Sequence, residues 1–235
     1  MYRSGTSFRA PLALFLLVAV ASALAPASFA QRSGAVKREA RGAGGTGRRD
    51  PEIARMIAEI DARNVERTIR KLVSFGTRNT LSEQDNPARG IGAARDWLYR
   101  EFQNAGKDAG GRLRVELQTF EQQPGRFQRV AHATKLSNVV ATLRGTQTES
   151  EGRTYVVSGH YDSMCTSPTD AVCDAPGAND DASGVAAVLE MARVMSKRRF
   201  DATIVFMAVA GEEQGLVGAT YFAEQARQKN LDIEG

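Results

Sequence analysis

Apolar residues recur at helical spacing over residues 51–75: Ile53, Ile57 and Ile60, then Val65, Ile69 and Leu72. The register slips near Asn64, which predicts two helices rather than one, and Gly76 ends the run. Asp50-Pro51 opens it as an N-cap followed by proline at the first helical position. Ile91, Ala94, Leu98 and Phe102 share one face of a further helical stretch over 88–105, with Gly106 as its C-cap. Residues 112–120 then change period: Leu113, Val115 and Leu117 alternate with polar residues, as in a half-buried strand. Residues 138–143 and 155–158 are rich in strand formers. The helical period returns over 182–196 with Val185, Val188, Leu189, Ala192 and Met195. Residues 203–210 are almost wholly apolar, as a central strand buried on both faces requires. A last helix follows Gly215. Helices first, then strands, then strand–helix–strand predicts an α/β layered domain with a mixed sheet.

The N-terminus departs from this pattern. Arg3 and Arg9 precede an apolar run over 11–24, and Ala25-Pro26-Ala27-Ser28-Phe29-Ala30 ends it with small residues. This reads as a signal peptide over 1–30, cleaved after Ala30. The run is shorter than the ~20 apolar residues of a membrane span. The mature protein is therefore expected to be exported, to a periplasm or outside the cell. Residues 31–49, rich in Gly and Arg, read as a flexible linker, and the folded region is expected over 50–235. Charge sharpens this division. The whole chain carries +4, but residues 1–50 hold eight Lys or Arg against two Asp or Glu, so the body is slightly acidic. The pI near 9.3 belongs to the leader and linker. No Arg/Lys cluster marks the body as a nucleic-acid-binding face, and no membrane contact beyond export is expected.

Three clusters carry candidate chemistry. The first, Ser158-Gly159-His160-Tyr161-Asp162-Ser163, follows a strand. In an extended chain His160 and Asp162 point the same way, which suits a metal-ligating imidazole with an orienting carboxylate, or a structural histidine. The second, 175–184, places Asp180-Asp181 where a helix opens. Acids there cap a helix and complement its dipole, or they grip a cation. The third, Gly211-Glu212-Glu213-Gln214-Gly215, follows the apolar strand. It is a solvated turn or a ligand site, since open α/β sheets bind ligands beyond the carboxyl ends of their strands. Taken together, one imidazole and up to four carboxylates form a donor set that suits zinc.

The order GHYDS, then APGANDDASGVAAVLEMAR, then AGEEQGLVGA, resembles the co-catalytic di-zinc aminopeptidases of the bacterial leucyl aminopeptidase type. Ser74-Phe75-Gly76-Thr77-Arg78 and Ser137-Asn138-Val139-Val140-Ala141 are similar to flanking pieces of that family, and the resemblance runs from about Ile60 to the end. It implies a three-layer α/β sandwich, the zinc-exopeptidase (phosphorylase/hydrolase-like) fold with helices flanking a mixed sheet. It also implies peptide substrates and two zinc ions. By the same resemblance His160 binds one zinc and Asp162 orients it, Asp180 bridges both, Glu213 binds the other, and Glu212 is the general base. A cis Asp180–Asp181 peptide is implied as well. Zinc would acidify water and polarise the scissile carbonyl, with Glu212 passing the proton to the leaving amine.

The chain departs from the family in one respect. That family draws two further ligands, an Asp and a His, from downstream sequence, and this chain ends at Gly235. The only other histidine, His132, lies upstream and is expected to be a surface or strand-end residue. The fold is therefore expected to be incomplete at the C-terminus, a truncated reading frame or a fragment, inactive and poorly soluble alone. Cys165 and Cys173, with seven residues between them in an exported protein, are expected to form a disulfide; a zinc thiolate pair is the rival reading. The functional alternatives are a glutaminyl cyclase-like relative with one zinc, a carboxypeptidase of related fold, and a non-catalytic peptidase-like interaction domain. The intact His160 and Glu212-Glu213 favour the two-metal hydrolase.

Overall fold

The computed structural model describes residues 50–126 and 129–235. The expected leader (1–30) and linker (31–49) lie outside the described residues. Among the described residues no helix is long and apolar enough to cross a membrane.

Asp50 and Asp61 start the first two helices. Each accepts a backbone N–H two residues on, from Glu52 (2.7 Å) and Arg63 (2.9 Å), filling donors that a helix start leaves open. The predicted break therefore appears as α1 (Pro51–Ala58) and α2 (Ala62–Val73). After α3 (Gly90–Ala105) come β1 (Leu113–Gln122), β2 (Thr134–Leu143) and β3 (Arg153–His160). An irregular turn over Ala178–Ala182 opens α4 (Ser183–Met195), followed by β4 (Thr203–Val209), α5 (Val217–Gln228) and a two-residue β5 (Asp232–Ile233).

The strands lie in the order β1-β2-β4-β3-β5. The β1–β2 and β2–β4 pairs are antiparallel, whereas β3 runs parallel to both β4 and β5. The sheet is thus mixed, and the apolar strand β4 is central, with its last five residues buried. Alternation of side chains sorts the core into two layers. On one face Val139, Ala141, Phe206 and Ala208 meet Leu72 of α2, Leu98 and Phe102 of α3, and Val185, Val188 and Leu189 of α4. On the other, Val140, Val205, Met207 and Val209 pack against Phe222 of α5. This is the expected three-layer arrangement. Each fully buried Leu or Phe contributes about 1.5–3 kcal/mol, and truncating Leu98 to Ala is expected to cost about 2–5 kcal/mol.

Two local expectations are corrected, and one helix of the expected pair lacks a cover. Leu117 is 38% exposed, and it is Phe120 that packs, stacked on Tyr221 of α5 with ring centroids 4.0 Å apart. The far half of β1 buries its other face because α5 lies there. Gly106 ends α3 in right-handed geometry (φ −86°), so the left-handed glycine cap does not form. The stripe Ile53, Ile57, Ile60 remains 50–53% exposed, and no residue of α1 is buried. Polar contacts hold the end of α1 instead: Arg193 donates to the Glu59 carbonyl (2.6 Å), and Arg198 pairs with the Glu59 carboxylate.

Candidate metal centre

Parallel pairing sets the site. His160 lies opposite Val209, so β3 and β4 end side by side at one edge of the sheet. The Tyr161 N–H continues the ladder by donating to the Val209 carbonyl (2.9 Å). Asp162 follows, fully buried, and its two oxygens accept the N–H groups of Glu212 (3.2 Å) and Glu213 (3.1 Å). One carboxylate thereby seats the Glu212-Glu213 turn against the end of β3. Gly211 permits the turn: its φ is +76°, and a Cβ there would lie 2.8 Å from Leu136 Cδ2.

The second motif reaches the same place from α4. The Asp180–Asp181 peptide is cis, and the two side chains diverge. Asp181 turns inward and accepts the N–H groups of His160 (3.0 Å) and Gly184 (2.9 Å). Asp180 turns outward, 74% exposed, with Oδ1 2.9 Å from His160 Nε2. Close approach of the start of α4 to β3 depends on Gly159, where a Cβ would lie 2.7 Å from the Val185 nitrogen.

Of the residues singled out in the sequence, His160, Asp180 and Glu213 each offer a ligand atom within 4.8 Å of the others. Glu212 Oε2 lies 4.0 Å from His160 Nε2. Asp162 Oδ1 lies 3.6 Å from His160 Nδ1, longer than a hydrogen bond, so its closest bonds are to the Glu212-Glu213 turn and not to the imidazole. His132 is exposed and apart from this cluster. Asp181 meets the capping expectation through the Gly184 N–H, but its bond to the His160 N–H, and the role of Gln214, which is fully buried and donates to the Pro168 carbonyl (2.8 Å), had no signal in periodicity or spacing.

Negative charge exceeds positive charge here. Burial alone would lower the His160 pKa, but the carboxylates of Asp162, Asp181 and Glu212 outweigh it and raise the value to about 9. The Glu213 carboxyl is pushed up, first by burial, then by Asp162 and Asp180. A bound cation would relieve both. His160 Nδ1 is buried without a hydrogen-bond partner. A neutral ring protonated on Nδ1, facing Asp162, leaves the Nε2 lone pair directed at Asp180. One imidazole nitrogen with carboxylate oxygens therefore fits a divalent cation at His160, Asp180 and Glu213.

Cys165 and Cys173 are bonded to each other, with Cα atoms 6.5 Å apart. Asp170 lies beside them but accepts the Val172 and Cys173 N–H groups, and the paired sulfurs leave no thiolate for a metal. Asn79 and Gln214 both donate to the Pro168 carbonyl (3.0 and 2.8 Å), tying this disulfide loop to the site. A separate cleft between α2, α3 and α4, lined by Thr68, Glu101 and Glu190, includes none of the candidate ligands.

Residues 138–234, which hold all three motifs, match the profile of Peptidase family M28. A probable zinc metalloprotease of Leptosphaeria maculans is 49% identical over 186 residues, covering 79% of this chain and 42% of that protein. The LapA aminopeptidase of Legionella pneumophila shares the fold with a TM-score of 0.57 at 22% identity, over 77% of this chain and 43% of that one. A glutaminyl cyclase of Fimbriiglobus ruber does so with a TM-score of 0.56 at 19% identity, over 73% and 57%. The chain spans about two fifths of the length of the curated relatives it matches. The ordered motifs, their convergence at one sheet edge and the sequence match agree: residues 138–234 belong to Peptidase family M28.

Proposed function

We propose that the chain carries the metal-binding part of a zinc-dependent exopeptidase, an aminopeptidase that hydrolyses N-terminal peptide bonds. The observation that carries this reading is the convergence of His160, Asp180 and Glu213 within 4.8 Å, with Glu212 beside them. His160, Asp180 and Glu213 would hold zinc. Zinc supplies a Lewis acid for the peptide carbonyl and lowers the pKa of water. Glu212, whose N–H is fixed by Asp162 while its carboxylate stays 38% exposed, takes the proton of the attacking water and returns it to the leaving amine. Three protein ligands are the usual set of one catalytic zinc, so a second ion would need further ligands. On this reading the remaining ligands, and the pocket that selects the N-terminal residue, belong to the part of the longer relatives that this chain does not span. Residues 1–30 direct export on the same reading, and residues 50–235 form the N-terminal part of the catalytic domain.

The test is zinc content by elemental analysis on purified residues 31–235, paired with hydrolysis of a leucine chromogenic amide. Bound zinc that a chelator removes is expected; a chain that takes up no zinc from a zinc buffer overturns the reading. The fold is shared with a glutaminyl cyclase, so fold alone does not separate the two chemistries. Release of ammonia from an N-terminal glutaminyl peptide by cyclisation, without leucine amide hydrolysis, would replace the peptidase assignment.

A further inference from the structure

Among the described residues Arg78 is the largest fully buried side chain, and it lies directly behind the metal centre. All four of its side-chain hydrogen bonds end on main-chain carbonyls. Nε donates to Tyr161 (2.7 Å), Nη1 to Leu72 (3.0 Å) and Pro176 (2.8 Å), and Nη2 to Gly177 (2.9 Å). Tyr161 sits between His160 and Asp162; Pro176 and Gly177 lead into the turn that presents Asp180. Leu72 lies in the last turn of α2, where carbonyls lack helical partners and a cation is favoured.

The surroundings are shaped for this guanidinium. Gly177 has φ +44°, and a Cβ there would lie 2.8 Å from Arg78 Nη2 and 2.7 Å from Ser163 Cβ. Main-chain contacts reinforce the link: the Arg78 N–H donates to Ser163 Oγ (3.2 Å), the Ser163 N–H to the Arg78 carbonyl (3.2 Å), and Ser163 Oγ to the Ala175 carbonyl (2.8 Å). Burial pushes the guanidinium pKa down to about 10, opposed by the Asp162 and Asp181 carboxylates, so the charge is kept.

We infer that Arg78 is a positioning residue for the metal centre: its fork fixes the segment carrying His160 and Asp162 against the segment carrying Asp180, and so sets the spacing of the ligands. Beside the bond from the His160 N–H to the Asp181 carboxylate, the two segments meet at Arg78 through main-chain carbonyls that a planar five-donor group spans at once. Lysine, a single point donor, keeps the charge and cannot span them. The inference rests on the zinc reading above.

The test uses the full chain with Arg78→Lys, Ser163→Ala and, as a remote control for lost stability, Leu98→Ala. Zinc affinity is read by competition with a chromophoric chelator, ligand geometry by the visible spectrum of the cobalt-loaded protein, and stability by thermal unfolding. Groups that orient metal ligands typically change affinity 10–100-fold. Arg78→Lys is expected to unfold cooperatively, bind zinc about 10–100-fold more weakly and alter the cobalt spectrum, while Leu98→Ala lowers the unfolding midpoint and leaves zinc affinity unchanged. Wild-type zinc affinity in folded Arg78→Lys overturns the inference, as does an equal zinc loss in Leu98→Ala. If Arg78→Lys does not fold, Ser163→Ala decides: zinc binding weakened about fivefold, the factor for one lost hydrogen bond, supports the inference and unchanged binding overturns it. A wild-type chain that binds no zinc sinks the zinc reading and this inference together; zinc bound equally by wild type and Arg78→Lys sinks the inference alone.

Discussion

Asp180 and Asp181 share one peptide bond and have opposite surroundings. Asp181 spends both oxygens on backbone N–H groups, of His160 and Gly184. Asp180 meets solvent and the His160 imidazole. The same division separates Asp162, whose oxygens hold the Glu212 and Glu213 N–H groups, from the Glu212 and Glu213 carboxylates themselves. Among the described residues, no backbone N–H is bonded to the carboxylates of Asp180, Glu212 or Glu213. An acid saturated by backbone donors builds the frame, and an acid left without them is available to a cation or a proton. The inner acids can be close to the outer ones because each is neutralised by fixed dipoles.

The largest expected effect falls on an outer acid that is not a ligand. Glu212→Gln keeps size and polarity but cannot accept a proton. General acid–base groups contribute typically 10²–10⁴-fold, so in a form of the protein extended to the length of its relatives kcat/KM on the leucine amide is expected to fall in that range. Zinc content is expected to match wild type. Full activity in Glu212→Gln would remove Glu212 from the proton path. Loss of zinc in parallel would move it among the ligands.

Asp180→Ala comes next. It removes a ligand atom and leaves the fold's hydrogen bonds intact. Zinc affinity is expected to fall by roughly 100-fold, the upper end of what even indirect partners of a ligand cause. The metal-free unfolding midpoint is expected to stay level, because the lost group is exposed and accepts no backbone donor. A midpoint that drops sharply would show that Asp180 also builds the frame, and the contrast with Asp181 would fail.

Much of this was legible in the sequence, for identifiable reasons. The run 203–210 has no polar alternation, which only a strand covered on both faces tolerates, and β4 is that strand. Ile91, Ala94, Leu98 and Phe102 repeat at the helical period and are all buried in α3. His160, Asp180 and Glu213 stood out because they follow or open regular elements, where ligand sites collect. Their division of labour with Asp162 and Asp181 was not legible. Whether an acid meets a backbone N–H depends on which strand lies beside which, and Asp162 reaches Glu212 across 50 residues only because β3 and β4 are parallel neighbours. Arg78 was visible only as part of a familiar flank, since its carbonyl partners lie 83–99 residues away apart from Leu72. Ile53, Ile57 and Ile60 show the converse: a helical period reports an apolar stripe, not what covers it.

Asp181→Ala is expected to give the smallest change in zinc binding and to invert the signature of Asp180→Ala. It strands the half-buried His160 and Gly184 N–H groups, a loss of about 1–3 kcal/mol for donors left without partners. At roughly 2–4 °C per kcal/mol for a domain of this size, the metal-free midpoint drops by several degrees. Zinc binds the folded state, so wild-type protein gains about 2.7 kcal/mol of stability at a free zinc concentration 100 times its Kd. If Asp181 serves the frame alone, the variant starts lower and shows most of that zinc-dependent rise. Asp180→Ala starts level with wild type and shows almost none of it. Thermal unfolding of both variants with and without zinc therefore places each acid on its own side of the division. Identical behaviour of the two variants would mean that the cis-linked pair acts as one unit and that the inward and outward carboxylates are not distinct in function.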